Sequence, residues 1–375
     1  MKYSIKLDWR IWSIILVFIS LVSLYIRYSI MTEKFFFDSI NLLSMIRLGG
    51  LFDGSFGVAA RFFSFLNFFD IETLFGWSVY TSVIFFGINL WLICDIKYIE
   101  FRRFIFILLS IFLWYLFVAG ITKEILQGLF YFAIYLICIK NDFFKRNTYR
   151  VVLGTIILLT SAIFFRGYYI LTAFFSIVVF IAFMIIKKLR VQRGQVLLIY
   201  SALILAALIL FLAISKIAFP AEYTRIINLR SESYRYLMDN TDTFIGNLYD
   251  NSSSDLIIYT INYCINYFRI LLPFELLFIG KVYYFPFLIY QLMFSYYWYK
   301  KLQLVHDLND KQLVSLVFIS SFLIVAAMME PDFGSWARHQ CVILPLAVCC
   351  YIVSDNIPKL EKIDVVEYKG SHKYE

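Results

Sequence analysis

The sequence predicts an all-α protein, a polytopic bundle of transmembrane helices. Of its 375 residues, 62% are apolar and only 16% are charged, whereas soluble domains have about 45–50% and about 25%. Aromatic residues, which are counted within the apolar fraction, make up 20% of the chain, and several apolar runs are long enough to cross a bilayer. This composition excludes a disordered chain, a disulfide scaffold and an ordinary soluble α/β enzyme.

About ten segments, within a range of about nine to twelve, meet the requirement of about 20 mostly apolar residues for a helical span. The chain has no internal repeat and no linker, so residues 1–375 are predicted to form a single integral membrane domain. Lys2, Lys6 and Arg10 precede the first run without a cleavage site of small residues, which is typical of a retained signal anchor. The predicted spans are Ile11–Ile30, Gly76–Cys94, Phe104–Ile121, Ile125–Ile139, Val151–Phe165, Tyr168–Ile186, Val196–Ile217, Leu276–Trp298, Leu313–Met329 and Cys341–Val353.

The distribution of basic residues predicts that both termini are cytoplasmic. With this orientation the cytoplasmic segments contain 21 Lys and Arg against 11 acidic residues, and the rest of the chain contains 13 against 15. An excess of Lys and Arg in cytoplasmic loops is the rule for membrane proteins. The larger external loops are then about residues 31–75 and about 218–260. We place Ile257–Leu272 at the outer interface, because an eleventh span there would move Lys300 and Lys301 outside.

The strongest local feature runs from Glu330 to His339 and joins the last two predicted spans. Two carboxylates, Glu330 and Asp332, precede Arg338 and His339 within ten residues, and a proline and a glycine break the helix between them. The ordinary pKa of histidine, about 6.5, makes His339 a candidate proton acceptor at neutral pH. Glu330 and Asp332 are the alternative acceptors, and Arg338 is a candidate for phosphate binding. An interfacial turn with a snorkelling arginine is the other interpretation.

Two short external turns each contain a basic residue at the membrane edge. Arg166 lies among aromatic residues in the segment Phe165–Tyr169, where a charge is costly and marks a binding site or a pairing partner. An aromatic belt with a snorkelling arginine is the alternative. Lys123 and Glu124 are adjacent in the other turn. They would either neutralise each other or help to hold an anionic head group.

The two long external loops contain further candidates. Arg225, Arg230 and Arg235 recur at intervals of five, a spacing that does not stay on one helical face. Two neighbouring arginines of this series could bind the same anion only if the loop folds back on itself. The alternative interpretation is a solvated loop in which they bind no ligand. In the first loop Asp38 and Asp53 are secondary candidates, within amphipathic Phe-rich sequence that is typical of interfacial helices.

Several motifs do not occur in the sequence. There is no GxxxxGK[ST] loop, no HExxH, no Cys/His ligand set and no DxD carboxylate pair. The sequence therefore predicts neither a metal site nor a cofactor, and it disfavours a transferase that uses nucleotide sugars. The six cysteines are expected to pack as small apolar side chains. The net charge of +8 is assigned to the cytoplasmic loops, so no nucleic-acid partner is expected.

The whole pattern resembles the Wzy-like polymerases of bacterial capsule, O-antigen or exopolysaccharide repeat units. The resemblance rests on the number of spans, on a large external loop in the second half, and on the segments Thr122–Glu124, Phe165–Tyr169 and Glu330–His339. It implies a metal-independent glycosyltransferase in the bacterial cytoplasmic membrane. Such polymerases join oligosaccharide units carried on undecaprenyl pyrophosphate at the outer face. The implied partners are this lipid-linked oligosaccharide, membrane lipid, and a flippase and a chain-length regulator of the same pathway.

The resemblance also implies residue roles. The family is similar to ligases of lipid-linked oligosaccharides, in which external arginines hold the pyrophosphate and a histidine assists the acceptor. By matching motif, His339 corresponds to that histidine, and Arg338 and Arg166 correspond to pyrophosphate contacts. A role in pyrophosphate binding is assigned to Arg225, Arg230 and Arg235 only because they lie in the second long loop.

The sequence leaves three other functions open. A flippase or exporter of the same glycolipid would place ionisable residues within the spans, and Arg269, Glu275 and Lys281 form a candidate charged groove. A glycosyltransferase that uses a polyprenyl-phosphate sugar often has an acidic residue in its first external loop, so Asp38 would then matter more than His339. A membrane acyltransferase is the fourth candidate.

Overall fold

The computed structural model describes residues 4–31, 33–49, 52–224, 226–227, 243–249 and 255–352, and these are mostly helical. The prediction of an all-α protein is therefore confirmed. The helices are α1 (Trp9–Ser29), α2 (Phe37–Leu48), α3 (Gly54–Leu66), α4 (Leu74–Ile93), α5 (Phe101–Phe117), α6 (Lys123–Ile134), α7 (Asn147–Phe164), α8 (Tyr169–Leu189), α9 (Arg193–Ala218), α10 (Leu256–Leu271), α11 (Glu275–Ile279), α12 (Phe285–Gln303), α13 (Asp310–Met329), α14 (Phe333–Cys341) and α15 (Leu344–Tyr351).

Six of these helices are long and apolar enough to cross a membrane, namely α1, α4, α7, α8, α9 and α13. They differ in how much of their surface other helices cover. The most apolar part of α13 is 94% buried, whereas that of α1 is 17% buried. Helix α13 therefore forms the centre of the bundle, and α1 lies at its periphery with an apolar surface suited to lipid.

Helix α13 packs closely against α7 and α8. Gly154 of α7 allows this approach, because a Cβ atom at that position would lie only 2.2 Å from Cζ of Phe318. At its start Asn309 and Gln312 form a capping box, in which each side chain pairs with the backbone N–H of the other residue. The central helix thus has a defined beginning and a close contact that fixes its depth.

Two of the predicted spans are shorter or broken in the structure. The prediction of one helix over Leu276–Trp298 is wrong, because α11 ends at Gly280, which has a φ of 70°, and α12 begins only at Phe285. A left-handed glycine is a common helix terminator. The last predicted span contains only the eight-residue α15. Helix α6 continues as a π-helix over Tyr135–Lys140.

A small two-stranded sheet was not predicted. Strand β1 (Ser4–Lys6) pairs antiparallel with β2 (Tyr98–Glu100), and Ile5 lies opposite Ile99. The pairing places the beginning of α1 and the beginning of α5 at the same end of the bundle. It joins segments more than 90 residues apart, which a pattern of local hydrophobicity does not reveal.

The connecting segments form two groups, one at each end of the bundle, and ion pairs join segments within each group. At the end that contains the sheet, Lys140 pairs with Asp95 at 3.8 Å and Lys311 pairs with Asp142 at 2.8 Å. Arg193 pairs with Asp307 at 2.7 Å. All six residues belong to segments that were predicted to lie on one side of the membrane. The segments predicted for the other side meet at the opposite end, where the candidate site is found.

Candidate active site

The candidate site lies at the end of the bundle opposite the sheet, where four connections meet. These connections are the segment that joins α1 to the start of α2, the segment that joins α5 to the first turn of α6, the turn between α7 and α8, and the turn between α13 and α14. Ion pairs and hydrogen bonds join all three motifs that were singled out around Lys123, Arg166 and His339. They are far apart in sequence, so their convergence depends on the fold.

The turn between α13 and α14 is held by Asp332. Its Oδ1 accepts a hydrogen bond from the backbone N–H of Ser335 at 2.8 Å, and its Oδ2 accepts one from the Ser335 hydroxyl at 2.7 Å. A carboxylate in this position caps a helix. The segment at Thr243 and Ile245 adds backbone hydrogen bonds on both sides of Asp332. The sequence predicts Asp332 as an alternative proton acceptor. In the structure both of its carboxylate oxygens accept hydrogen bonds from Ser335, and they thereby cap the start of α14.

His339 lies between two buried carboxylates. Its Nδ1 is 2.6 Å from Oε1 of Glu330, and its Nε2 is 3.3 Å from Oε1 of Glu124. The side chain of Glu330 is 8% exposed and that of Glu124 is 1% exposed, so both carboxylates need charged or hydrogen-bonding partners.

These neighbours change the proton affinity of His339. Burial alone lowers its pKa, but the charge of Glu330 and the hydrogen bonds to Glu124 and Glu330 raise the pKa to about 10. Burial raises the pKa of Glu124, but the hydrogen bond from His339 and the charges of Arg338 and Arg166 hold it well below its ordinary value. At neutral pH His339 is therefore an imidazolium. The ordinary pKa, on which its role as a proton acceptor at neutral pH was predicted, therefore does not apply to His339, whose neighbours raise its pKa. A catalytic role of His339 stays a prediction.

The contacts of Arg166 agree with a protonated Nε2 on His339. Arg166 Nη1 lies 3.1 Å from that nitrogen, but it also donates to Tyr168 Oη at 3.0 Å and to Gln127 Oε1 at 3.3 Å. A guanidinium Nη atom has only two hydrogens, and these two acceptors use both. Arg166 Nη2 approaches Oε1 of Glu124 at 3.5 Å. Glu124 is thus shared by a guanidinium and an imidazolium.

The more exposed rim of the site is built around Asp38 of α2. Its Oδ2 lies 3.2 Å from Nζ of Lys123 and 3.5 Å from Nη1 of Arg338. Lys123 also lies over the ring of Phe56 at 3.6 Å, and burial lowers its pKa despite the opposing charge of Asp38. Lys123 and Glu124 form their ion pairs with other residues, Lys123 with Asp38, and Glu124 with Arg166 and His339. Arg338, with 24% of its side chain exposed, is the most accessible cation of this rim.

Arg27 is a member of this end of the bundle that the sequence interpretation missed. It comes from the last turn of α1, its Nη1 donates to the carbonyl of Ala119, and it lies 5.2 Å from the ring of Phe36. Gly120 makes room for it, because a Cβ there would be 2.7 Å from its Nη2. Among the described residues it has no carboxylate partner. An arginine inside an otherwise apolar run is the signal that would have identified it.

Other predicted residues are not brought to the site. Arg225, Arg230 and Arg235 lie outside the described residues. Arg269 and Glu275 bind each other in a bidentate ion pair, which accounts for two members of the predicted charged groove. The six cysteines are free, and four of them are buried. Within the described ranges, no group of three or more His, Cys, Asp or Glu side chains is placed to hold a metal ion.

Comparisons with known proteins give no relative. No family model, no curated protein and no solved structure matches the chain.

Proposed function

We propose that the protein is a polymerase that joins oligosaccharide units carried on undecaprenyl pyrophosphate. The observation that supports this most directly is the meeting of Arg166, Arg338 and Lys123 with a histidine that is held between two carboxylates. A reaction whose leaving group is a lipid pyrophosphate needs stabilisation of negative charge above all. Guanidinium and imidazolium groups supply that stabilisation through charge-assisted hydrogen bonds.

The proposed reaction transfers a glycan chain from one lipid carrier to another unit. The bond between the anomeric carbon of the chain and the pyrophosphate oxygen breaks, and the electron pair leaves with undecaprenyl pyrophosphate. The hydroxyl oxygen of the incoming unit forms the new bond to that carbon and loses its proton. No metal and no nucleotide take part.

The geometry favours a division of roles among the site residues. Arg338 and Lys123 at the rim receive the pyrophosphate, which takes the place of their partner Asp38. Arg166 and His339, one layer deeper, stabilise the charge that develops on the leaving oxygen. Glu330 accepts the hydroxyl proton. Its Oε2 supports this role, because within the described part of the chain it is buried without a hydrogen-bond partner.

The remaining features of the proposal concern the membrane. We propose about ten crossings with both termini cytoplasmic, so that the site faces outward in a bacterial cytoplasmic membrane. The separation of the connections into two groups, one at each end of the bundle, agrees with a multi-pass topology, and six of the described helices are long and apolar enough to cross. Arg225, Arg230 and Arg235 are proposed as further pyrophosphate contacts only by their place in the second long loop. A flippase and a chain-length regulator are the proposed pathway partners.

Substitution of His339 and Arg338 tests the function. We expect His339→Gln and Arg338→Gln to abolish long polysaccharide while single lipid-linked units accumulate at the outer leaflet. Arg193→Gln is the matched control, because it removes a guanidinium at the opposite end of the bundle. Normal chain lengths in both well-expressed site variants would refute the polymerase, and units retained on the inner leaflet would indicate a flippase.

A second candidate is a glycosyltransferase that uses a polyprenyl-phosphate sugar. The position of Asp38 favours it, because this carboxylate from the first external loop lies beside Lys123 and Arg338. In such an enzyme Asp38 would act on the acceptor and could not be replaced. The polymerase proposal makes the opposite prediction, namely that Asp38 can be replaced by asparagine with polymer synthesis retained.

A further inference from the structure

A short part of the second long external loop connects α10 with the candidate site. We call residues 243–249 the strap; they lie between α9 and α10 in the chain and form no helix. Phe244 of the strap pairs antiparallel with Asp332 in a β-bridge, and two backbone hydrogen bonds of 2.7 and 2.9 Å flank this bridge. These hydrogen bonds run from Ile245 N–H to Pro331 O and from Phe333 N–H to Thr243 O. The strap therefore holds the backbone that separates Glu330 from the start of α14.

Polar side chains on one face of α10 hold the other end of the strap. Asn262, Asn266 and Arg269 follow one another at intervals of four and three residues, a spacing that keeps them on the same side of a helix. Asn262 accepts a hydrogen bond from the backbone N–H of Tyr249 at 3.1 Å and donates to its carbonyl at 2.9 Å. Asn266 donates to the side chain of Asn247 at 3.0 Å. Asn262 and Asn266 are only 2% and 1% exposed, and buried amides need such partners.

Arg269 adds a third contact to the strap and is itself fixed in place. Its Nη1 donates to the carbonyl oxygen of Gly246 in the strap and to Oδ1 of Asn266 at 3.2 Å. Its Nε and Nη2 donate to the two carboxylate oxygens of Glu275, the latter at 2.8 Å. Because the guanidinium is planar and rigid, these contacts fix its orientation. The strap is thus attached to α10 at three successive points.

We infer that the strap is a positioning element of the candidate site. The three polar side chains of α10 fix one of its ends, and its other end fixes the backbone next to Glu330. The Nδ1 atom of His339 and the Oε1 atom of Glu330 are 2.6 Å apart, and a hydrogen bond weakens steeply when its atoms move apart or out of line. A small displacement of this turn would therefore weaken the contact that keeps His339 charged. The catalytic meaning of this role rests on the proposed function, in which Glu330 accepts the hydroxyl proton.

The protonation of His339 reports this position without any substrate. The chain contains three histidines, so nuclear magnetic resonance of the purified full-length protein, isotope-labelled in its histidine rings, gives few ring signals, and His339→Gln assigns the relevant one. The imidazole faces Glu330 at the end of α13, Glu124 of α6, and Arg166 and Tyr168 in the turn between α7 and α8. Burial lowers the pKa of His339, but the acidic groups among these neighbours raise it to about 10. The titration midpoint of the ring signal measures this value.

Substitutions at the strap test its role. Asn266→Leu and Asn247→Leu each remove the hydrogen bond between these two side chains. We expect each to lower the midpoint of His339 by about one pH unit or more, because a carboxylate that has moved away stabilises the imidazolium less. Asn247→Asp keeps the accepting oxygen and should not lower the midpoint. Tyr263→Phe is the matched control and should leave the midpoint unchanged, because it removes a different hydrogen bond of α10, from the Tyr263 hydroxyl to the carbonyl of Ile324 at 3.4 Å.

The outcomes separate this inference from the proposed function. Cooperative thermal unfolding shows which variants are folded, and Asn247→Leu decides if Asn266→Leu is not, because Asn247 is only partly buried. An unchanged midpoint in the folded leucine variants would overturn the inference and leave the proposed polymerase intact. An equal decrease in Tyr263→Phe would also overturn it, since a general loosening of α10 would then explain the effect. A wild type without polymerase activity whose midpoint still falls in the leucine variants would overturn only the proposed function.

Discussion

Nδ1 of His339 lies 2.6 Å from Oε1 of Glu330, across the break between α13 and α14. The other ring nitrogen faces Glu124 on α6, so one imidazolium connects carboxylates from two parts of the fold. This contact therefore has both a structural and a chemical role. It holds the turn against α6, and it keeps a positive charge at the place where the proposed reaction needs one.

The first prediction is that the stabilising effect of His339 decreases above neutral pH. Its pKa is raised from 6.5 to about 10 in the folded protein. The stabilisation is therefore fully present below about pH 6.5 and is lost as the pH rises through about 10. Glu124 has a lowered pKa, so its contribution is present above about pH 4.5 and is lost as the pH falls through its folded-state value.

Thermal unfolding of the detergent-solubilised protein measures this effect. The difference in Tm between the wild type and His339→Gln should be largest near pH 6 and should shrink steadily towards about pH 10. His306→Gln serves as the control, because His306 lies at the opposite end of the bundle, where its Nε2 is 3.0 Å from the carbonyl oxygen of Val191. A difference in Tm that stays constant over this range would show that His339 is not held as an imidazolium.

The second prediction concerns Asp38, which pairs with both Lys123 and Arg338. If pyrophosphate takes the place of this carboxylate, then Asp38→Asn removes a competitor and should strengthen pyrophosphate binding by about two- to fivefold. The free energy of unfolding should change by less than about 1 kcal/mol, because the pairs lie at a partly exposed rim. Titration with inorganic pyrophosphate gives the affinity, and polymer length gives the activity.

The outcome for Asp38 distinguishes the two candidate functions. Retained polymer synthesis in Asp38→Asn agrees with a polymerase in which this residue is only a counter-ion. Complete loss of activity with unimpaired pyrophosphate binding would favour the polyprenyl-phosphate-sugar transferase. Asp53→Asn is the matched control, because Asp53 is the other carboxylate that the sequence singled out in the same loop.

Part of this arrangement could be predicted from the sequence. The apolar runs located most helices, because a helix that meets lipid or other helices on all sides must be apolar all round. The segments at Lys123, Arg166 and His339 were singled out because charged residues at membrane edges are costly. Their pairings were not predictable, since a partner such as Asp38 lies more than 80 residues away and is brought close only by folding.

The failures have equally specific causes. Arg27 is one charge within a long apolar run, and its contacts with the carbonyls of Leu116 and Ala119 and the gap at Gly120 appear only in the folded structure. The break at Gly280 was missed because apolar runs flank it on both sides, although Gly280, Lys281 and Pro286 all lie within the predicted span. The proton affinity of His339 could not be predicted, because it depends on two carboxylates whose positions follow from tertiary structure.

The third prediction concerns Tyr168, whose hydroxyl accepts hydrogen bonds from Arg166 at 3.0 Å and from Gln127 at 3.3 Å. Tyr168→Phe removes this acceptor and leaves a buried guanidinium with one hydrogen fewer satisfied. We expect a loss of about 1–3 kcal/mol in the free energy of unfolding. Polymer synthesis should fall about tenfold, because Arg166 is less well oriented towards the leaving oxygen.

Two measurements separate these effects. Chemical unfolding reports the stability, and single-turnover transfer at saturating donor reports the activity of the folded fraction. Tyr149→Phe is a suitable control, because that side chain is exposed on α7. Wild-type transfer by Tyr168→Phe would show that the hydroxyl serves stability alone.

The last prediction concerns the space that Gly120 leaves for Arg27. A methyl group at position 120 would lie 2.7 Å from Nη2 of Arg27, and the guanidinium cannot retreat easily because Phe36 covers it. We expect Gly120→Ala to cost about 1–3 kcal/mol, as is usual for overpacking in a well-filled site. Gly167→Ala in the turn next to Arg166 is the control, since a Cβ there meets nothing within 4 Å.

The double variant Gly120→Ala with Arg27→Met completes the argument. If the cost of Gly120→Ala comes from the guanidinium, then the effects of the two substitutions are not additive, and the second substitution recovers part of the loss caused by the first. Additive losses of stability would mean that Gly120 is needed for its backbone alone. Arg27 donates to the carbonyl of Leu116 in the last turn of α5 and to that of Ala119 just beyond it. Because the helix dipole is negative there, removal of Arg27 should also increase hydrogen exchange in the last turn of α5.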